Sequence, residues 1–204
     1  MLLRSPRPRP VLSPDLRLRT ATPDDASTIA ALAIQVFLDT YAPGGVSPGL
    51  GREALRDCGV DAFAARLREP ERRFILAERG DALAGFAELS LRDEAAPAGG
   101  ERGAELVRLY VQPAAQRAGL GRRLIRAAEA MAAEAGLGTV WLTAWDGNHR
   151  ALGFYAHEGY ADIGATTHRI EGTDHGNRVL ARRRAGDRAR AQGAAVSRPA
   201  AASG

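Results

Sequence analysis

The sequence predicts an α/β sandwich built around one mixed sheet. Two observations carry that expectation. Stretches of alternating and of helical apolar periodicity follow one another in the order β-α-α-β-β-β-α-β-α-β-β. The 204 residues, 45% hydrophobic and 25% charged, suffice for one well-buried domain and fall short of two ordinary ones.

Leu16 to Thr20 alternates Leu and Arg, as a half-buried strand does. Thr22-Pro23-Asp24-Asp25 then supplies an N-cap, a proline at the first helical position and a carboxylate at the third. Ile29, Leu32, Ala33, Val36 and Phe37 follow at helical spacing, so a first helix should reach about Tyr41. Ala42–Gly51 reads as a Gly/Pro loop, and Arg52–Arg68 as a helical stretch interrupted near Gly59. Phe74–Glu78 and Leu83–Ser90 read as strands joined by a turn at Gly80-Asp81. Arg92–Gly103 reads as a polar loop and Glu105–Val111 as the fourth strand. Gly121–Ala135 should be a helix with Leu124, Ala128, Met131 and Ala135 along one stripe, stopped by Gly136. Thr139–Ala144 is the next expected strand. Asn148–Glu158 is a short helix stopped by Gly159, and Tyr160–Ile170 and Asn177–Arg182 are closing strands.

The ends differ from this middle. Residues 1–14 and 184–204 are rich in Arg, Pro, Ala and Gly and should be disordered, leaving residues 15–183 as the folded domain. All 28 basic residues are Arg, which reads as the bias of a GC-rich genome. Residues 1–14 carry +3 and residues 182–204 carry +5, so the +4 of the whole chain leaves −4 for residues 15–181. The folded part is therefore mildly acidic, and the tail arginines lack the interleaved aromatics of a stacking platform. No specific nucleic-acid partner is expected. No apolar run is long enough for a transmembrane helix, and Met1–Pro14 lacks a secretory h-region. A cytoplasmic location and no membrane partner follow as expectations. Cys58 is the only cysteine, so it belongs to no intramolecular disulfide. His149, His157, His168 and His175 show no metal-ligand spacing, and no metal is expected.

Two segments carry chemistry. The first is Glu105–Val111 running through Gln112-Pro113 into Gln116-Arg117-Ala118-Gly119-Leu120-Gly121. Two glycines permit a tight turn and close backbone approach, and the amides of Arg117–Arg122 can meet at a helix N-terminus as an anion site. Alone, such a turn need hold no ligand. Leu124 stands where a dinucleotide fingerprint needs glycine, and no Gly-Lys-Ser/Thr exists for a Walker loop. The second segment is Trp145–Tyr160. On a helix, Asn148, Ala151/Leu152 and Tyr155 share one face, which presents an amide, a small floor and a phenol. Trp141 and Trp145, at the ends of a strand, are expected to pack.

Together these segments resemble the GNAT N-acetyltransferase superfamily over residues 15–182. Phe37-Leu38-Asp39-Thr40-Tyr41 and Trp145-Asp146-x-Asn148 are also similar to a bacterial subgroup that includes polyamine acetyltransferases. The resemblance implies a GNAT-type three-layer sandwich with helices on both faces of a mixed, mostly antiparallel sheet, splayed between the fourth and fifth strands. A bulge in the fourth strand should aim an amide into the cleft. It implies acetyl-CoA as co-substrate, its pyrophosphate on the amides of Gln116, Arg117, Ala118, Gly119, Leu120, Gly121 and Arg122. The pantetheine arm would lie along Leu109, Tyr110 and Val111, with Asn148, Ala151 and Tyr155 near the thioester.

The implied reaction is direct attack of an amine. Tyr155 would be the general acid, Glu105 the general base, and a backbone amide of Leu109–Val111 the oxyanion donor. Cys58 lies outside both segments, so a covalent route is disfavoured. The expected acceptor is a primary amine of a small molecule, polyamine-like among the possibilities. A peptide N-terminus, or a non-catalytic acyl-CoA-binding module, are the alternatives. A homodimer is compatible with the sequence.

Overall fold

A computed structural model describes residues 16–170 and 173–184. Most of the two expected disordered ends therefore lies outside the described residues. β1 (Leu16–Thr20), β2 (Arg72–Arg79), β3 (Ala82–Ala95), β4 (Arg102–Val111), β5 (Thr139–Trp145), β6 (Ala161–Ile170) and β7 (Thr173–Arg183) form one sheet in the order β1-β2-β3-β4-β5-β7-β6. Every neighbouring pair is antiparallel except β4–β5. The helices are α1 (Ala26–Tyr41), α2 (Pro48–Cys58), α3 (Val60–Arg66), α4 (Leu120–Glu134) and α5 (His149–His157). None of these helices is long and apolar enough to cross a membrane.

Strand alternation sorts the core into two layers. Ile75, Ala77, Ala87 and Leu89 pack with Leu120, Leu124, Ile125 and Ala128 of α4, and Tyr155 of α5. Their neighbours Phe74, Leu76 and Phe86 face Ile29, Ala33, Val36 and Phe37 of α1 and Phe63 of α3. A period of two thus gives one sheet two buried faces, and helices cover both. The three-layer arrangement is as expected.

The sheet parts in its middle. β4 and β5 pair only at Ala104–Val140 and Glu105–Trp141. From Leu106 onward no strand among the described residues covers that edge of β4, so alternate backbone groups of Leu106–Val111 face a gap. On its other edge β4 has an extra residue: Glu88 of β3 is opposite Arg108 and Leu89 is opposite Leu106, which leaves Val107 as the bulge.

Four local expectations need correction. The loop Ala42–Gly51 ends early, because α2 starts at Pro48. Ser47 caps it, its side chain accepting from the Leu50 N–H at 3.2 Å, and proline is compatible with the first turn. Arg92–Gly103 is half strand: β3 runs to Ala95 and β4 begins at Arg102, since backbone pairing continues past the last apolar residue. Glu105 therefore lies inside β4 and does not begin it. The buried stripe of α4 passes through Leu124, Ile125, Ala128 and Ala132, whereas Met131 is half-buried and Ala135 is exposed.

Candidate active site

The turn from β4 into α4 has the strand–turn–helix geometry that the spacing requires. β4 ends at Val111, a short 3-10 turn covers Pro113–Ala115, and α4 starts at Leu120. Arg117 and Gly119 are both left-handed, with φ of 63° and 75°. Gly119 adopts this without steric cost, but Arg117 does not, and strain of about 1 kcal/mol in a turn of this kind marks functional sites. The Arg123 N–H bonds back to the Gly119 carbonyl, which closes the first helical turn. The N–H groups of Arg117 through Arg122 find no acceptor among the described residues. They are the orphan donors of a helix start and the turn before it.

The turn is tied to α5, which joins the two segments. The Gln116 side-chain amide donates to the Val111 carbonyl at 3.0 Å and accepts from Arg150 of α5 at 2.6 Å. Arg122 and Arg126 of α4 both reach Glu158, which is buried at the end of α5, at 2.8 and 3.0 Å. The Arg122 side chain is thus committed to Glu158, while its amide is free. Gly121 rests against the Phe154 ring, which a Cβ there would meet at 3.3 Å. Packing against α5 is a second reason for this glycine that the turn alone does not reveal.

Asn148 caps α5, its side-chain oxygen accepting from the Ala151 N–H at 3.1 Å. Only its amide NH2 remains to donate to anything else. Ala151 and Leu152 are half-buried in the core beside Tyr155. The Tyr155 ring packs against Phe154 and Tyr160, at 5.3 and 5.8 Å between centroids. Burial pushes its phenol well above the ordinary tyrosine range, and the nearby Tyr41 adds to the effect. Its hydroxyl makes no hydrogen bond among the described residues.

Glu105 faces the opposite layer. It is the last β4 residue paired to β5, so it marks the base of the gap. Burial raises its carboxyl above the usual range, against the pull of Arg72. Tyr155 and Glu105 are not in contact. Tyr41, at the end of α1, has its ring 5.7 Å from that of Trp145. Tyr110 of β4 is part of this face and meets Phe86 edge to face, with ring centroids 5.5 Å apart. Leu109 and Val111 point to the α4 layer.

A buried charge cluster went unnoticed in the sequence. Glu88 of β3 is wholly buried, and its two carboxylate oxygens take Arg72 and Arg108. Arg108 and Arg66 both lie over the Phe63 ring, at 5.7 and 5.0 Å. The available signal was a lone Glu inside the apolar run of β3, which needs a cation partner. Cys58 is buried at the end of α2, and burial pushes its thiol up. That is unfavourable for a nucleophile. Trp141 is buried, with its indole N–H donating to the Glu94 carbonyl at 3.1 Å. Among the described residues no group of three His, Cys, Asp or Glu is placed to hold a metal.

The model of the acetyltransferase (GNAT) family matches residues 38–160, which span the gap, the anion turn and α5. The chain belongs to the GNAT acetyltransferase family. It is 31% identical over 153 residues to an uncharacterised N-acetyltransferase of Mycobacterium tuberculosis, covering 75% of this chain and 93% of that protein. Among solved structures it is similar to a GCN5-related N-acetyltransferase from Rhodopseudomonas palustris. The TM-score is 0.66 and the identity 25%, over 82% of this chain and 95% of that one. The PaiA N-acetyltransferase of Thermoplasma acidophilum, solved with coenzyme A, shares the fold: TM-score 0.65 and 19% identity over 83% and 99% of the chains. Family membership makes this GNAT chain an enzyme of the N-acetyltransferase kind.

Proposed function

We propose that the chain transfers the acetyl group of acetyl-CoA to a primary amine of a small molecule, by direct attack. The observation that carries this is the run of amides from Arg117 to Arg122. They have no acceptor among the described residues, stand at the positive end of α4 and adjoin the uncovered edge of β4. A pyrophosphate is the ligand such a run fits. The coenzyme A held by the Thermoplasma relative supports the same choice. Acetyl-CoA supplies the activated acyl group and a thiolate leaving group. The uncovered backbone of Leu109–Val111 offers strand-like bonds to a pantetheine arm, and Asn148 has its amide NH2 left to donate.

Tyr155 keeps its proton at neutral pH because burial disfavours the phenolate. It therefore donates to the departing sulfur as a general acid. Glu105, at the base of the gap, accepts the amine's proton directly or through water. A backbone N–H on the β4 edge stabilises the oxygen on which negative charge develops. Holding both reactants in one gap supplies much of the rate. Cys58, buried and protonated, takes no covalent part.

Coenzyme A release, followed with a thiol reagent over small amines and free-N-terminal peptides, tests the proposal. Turnover with small amines is expected. Turnover with peptides alone would assign an Nα-acetyltransferase, and acetyl-CoA binding without release would assign a binding module.

A further inference from the structure

The gap has two faces. The anion turn and Tyr155 belong to the α4 and α5 face, whereas on the other face β5 contributes Thr143 and Trp145, which have no part in the chemistry above. β5 pairs with β7 along its whole length, up to Trp145 opposite Asn177, but with β4 only as far as Trp141. Among the described residues no strand covers Leu142–Trp145 on the gap side. Leu142 and Ala144 pack with the α4 and α5 layer. Alternation therefore turns Thr143 and Trp145 to the α1 layer. The Trp145 ring agrees with this, lying 5.7 Å from the ring of Tyr41 at the end of α1. Tyr110 faces the same layer from the β4 side of the gap.

Trp145 is a fixed wall. Gly147 has no left-handed φ to require a glycine, yet a Cβ there would run into the Trp145 ring. The glycine thus serves the close approach of the indole to the backbone. Tyr41 holds the ring from α1 and itself meets Phe37 at 4.8 Å between centroids. The wall is also open: Trp145 is half-buried, and Tyr41 is 36% exposed although its neighbour Phe37 is buried. The Asp146 carboxylate, which comes between Trp145 and Gly147 in the chain, lies against Gly176 of β7. An open aromatic surface of this kind favours another ring, offset or edge-on.

We infer that Trp145 and Tyr41 receive an aromatic group carried by the acceptor, which makes the acceptor an arylalkylamine. This rests on the proposed acetyl transfer and names the acceptor class for the same site. In that reading acetyl-CoA occupies the gap from the α4 and α5 side, so the acceptor reaches it from the α1 side, past these two rings. Trp145 stands four residues along β5 from Trp141, the partner of Glu105. At about 3.3 Å per residue the separation is about 13 Å. An aryl group against Trp145, with its amine on a short alkyl arm directed towards Glu105, fits within that span.

The test compares 2-phenylethylamine, propylamine and butane-1,4-diamine at saturating acetyl-CoA, with rates referred to the concentration of neutral reacting amine. 2-Phenylethylamine should exceed propylamine in kcat/KM by about tenfold or more, the gain from burying one ring against two others, and should exceed the diamine as well. Trp145→Ala should bring the phenylethylamine-to-propylamine ratio near one, through a higher KM for the aromatic amine. Acetyl-CoA affinity of the variant, measured by calorimetry, should stay at the wild-type value. Binding is also readable without turnover, because Trp141 and Trp145 are the only tryptophans of the chain and Trp141 is buried. With coenzyme A in place of acetyl-CoA, 2-phenylethylamine should change the indole fluorescence of the wild type and leave that of Trp145→Ala unchanged. If Trp145→Ala does not fold, the wild-type ranking still decides. Equal kcat/KM for the aromatic and simple amines, preference for the diamine, no turnover of the aromatic amine, or an undiminished ratio in Trp145→Ala would each overturn the inference while leaving acetyl transfer intact. Failure of the wild type to bind acetyl-CoA would remove the reading beneath it, and this one with it.

Discussion

At the scale of single residues, the account rests on two ionisable side chains whose environments push them in useful directions. Burial holds Tyr155 protonated, and burial raises Glu105 above an ordinary carboxyl. Tyr155→Phe should lower kcat roughly 10²–10⁴-fold, the range for loss of a general acid, with acetyl-CoA affinity nearly unchanged. Single-turnover rates beside calorimetry check it, and wild-type kcat would reduce Tyr155 to a packing residue. For Glu105 the pH dependence has a definite sign. A base must be unprotonated, so kcat should climb as pH rises through the elevated carboxyl pKa. Glu105→Gln should erase that acidic limb in a kcat–pH profile at saturating acetyl-CoA. A limb that persists in the variant would assign the proton transfer to another group.

At the scale of elements, junctions decide where side chains end up. β1 enters α1 through Asp25, which accepts from the Thr22 N–H at 2.7 Å and takes Arg19 through both oxygens, each at 2.7 Å. The Arg19 guanidinium, with help from Thr22, holds the Asp25 carboxyl at about 2. A carboxyl depressed on folding stabilises above its unfolded value near 4, and that stability is lost as pH falls from there through about 2. Asp25→Asn should therefore cost about 0.5–2 kcal/mol at neutral pH, as loss of a cap does, and nothing below pH 2. Thermal melts of both proteins at pH 7 and pH 2 measure it. This junction was legible beforehand, because the residue types of Thr22-Pro23-Asp24-Asp25 have a local use. So was the turn at Gln116–Gly121, where the spacing of glycines states the backbone need. The start of α2 was missed because Pro48 and Gly49 suggest a loop by composition, whereas the capping serine before them decides. The extension of β3 and β4 was missed because polar residues at a strand end carry no apolar period.

At the scale of the whole molecule, the site is a consequence of one sheet opening between two layers. Hydrophobic patterning foretold the layers. The parting itself became visible only through resemblance, since two parallel pairs at Ala104 and Glu105 leave no trace in composition. The buried Glu88–Arg72–Arg108 cluster was illegible for a related reason: its members come from three strands, and only the fold brings them together. The same holds for the tie between α4 and α5 through Gln116–Arg150 and Arg122–Glu158. That tie joins the Gln116–Gly121 turn to α5, which carries Tyr155, so the proposed donor site and the proposed general acid share one frame. The most direct test of the frame is calorimetric titration of acetyl-CoA into the wild type and Gly121→Glu, with thermal melts to establish that the variant is folded. A carboxylate at Gly121 places a negative charge among the free amides and a Cβ at 3.3 Å from the Phe154 ring. The account predicts tight binding by the wild type and about a hundredfold or greater loss in folded Gly121→Glu, equivalent to about 2.7 kcal/mol. Equal affinity in the two proteins would contradict it.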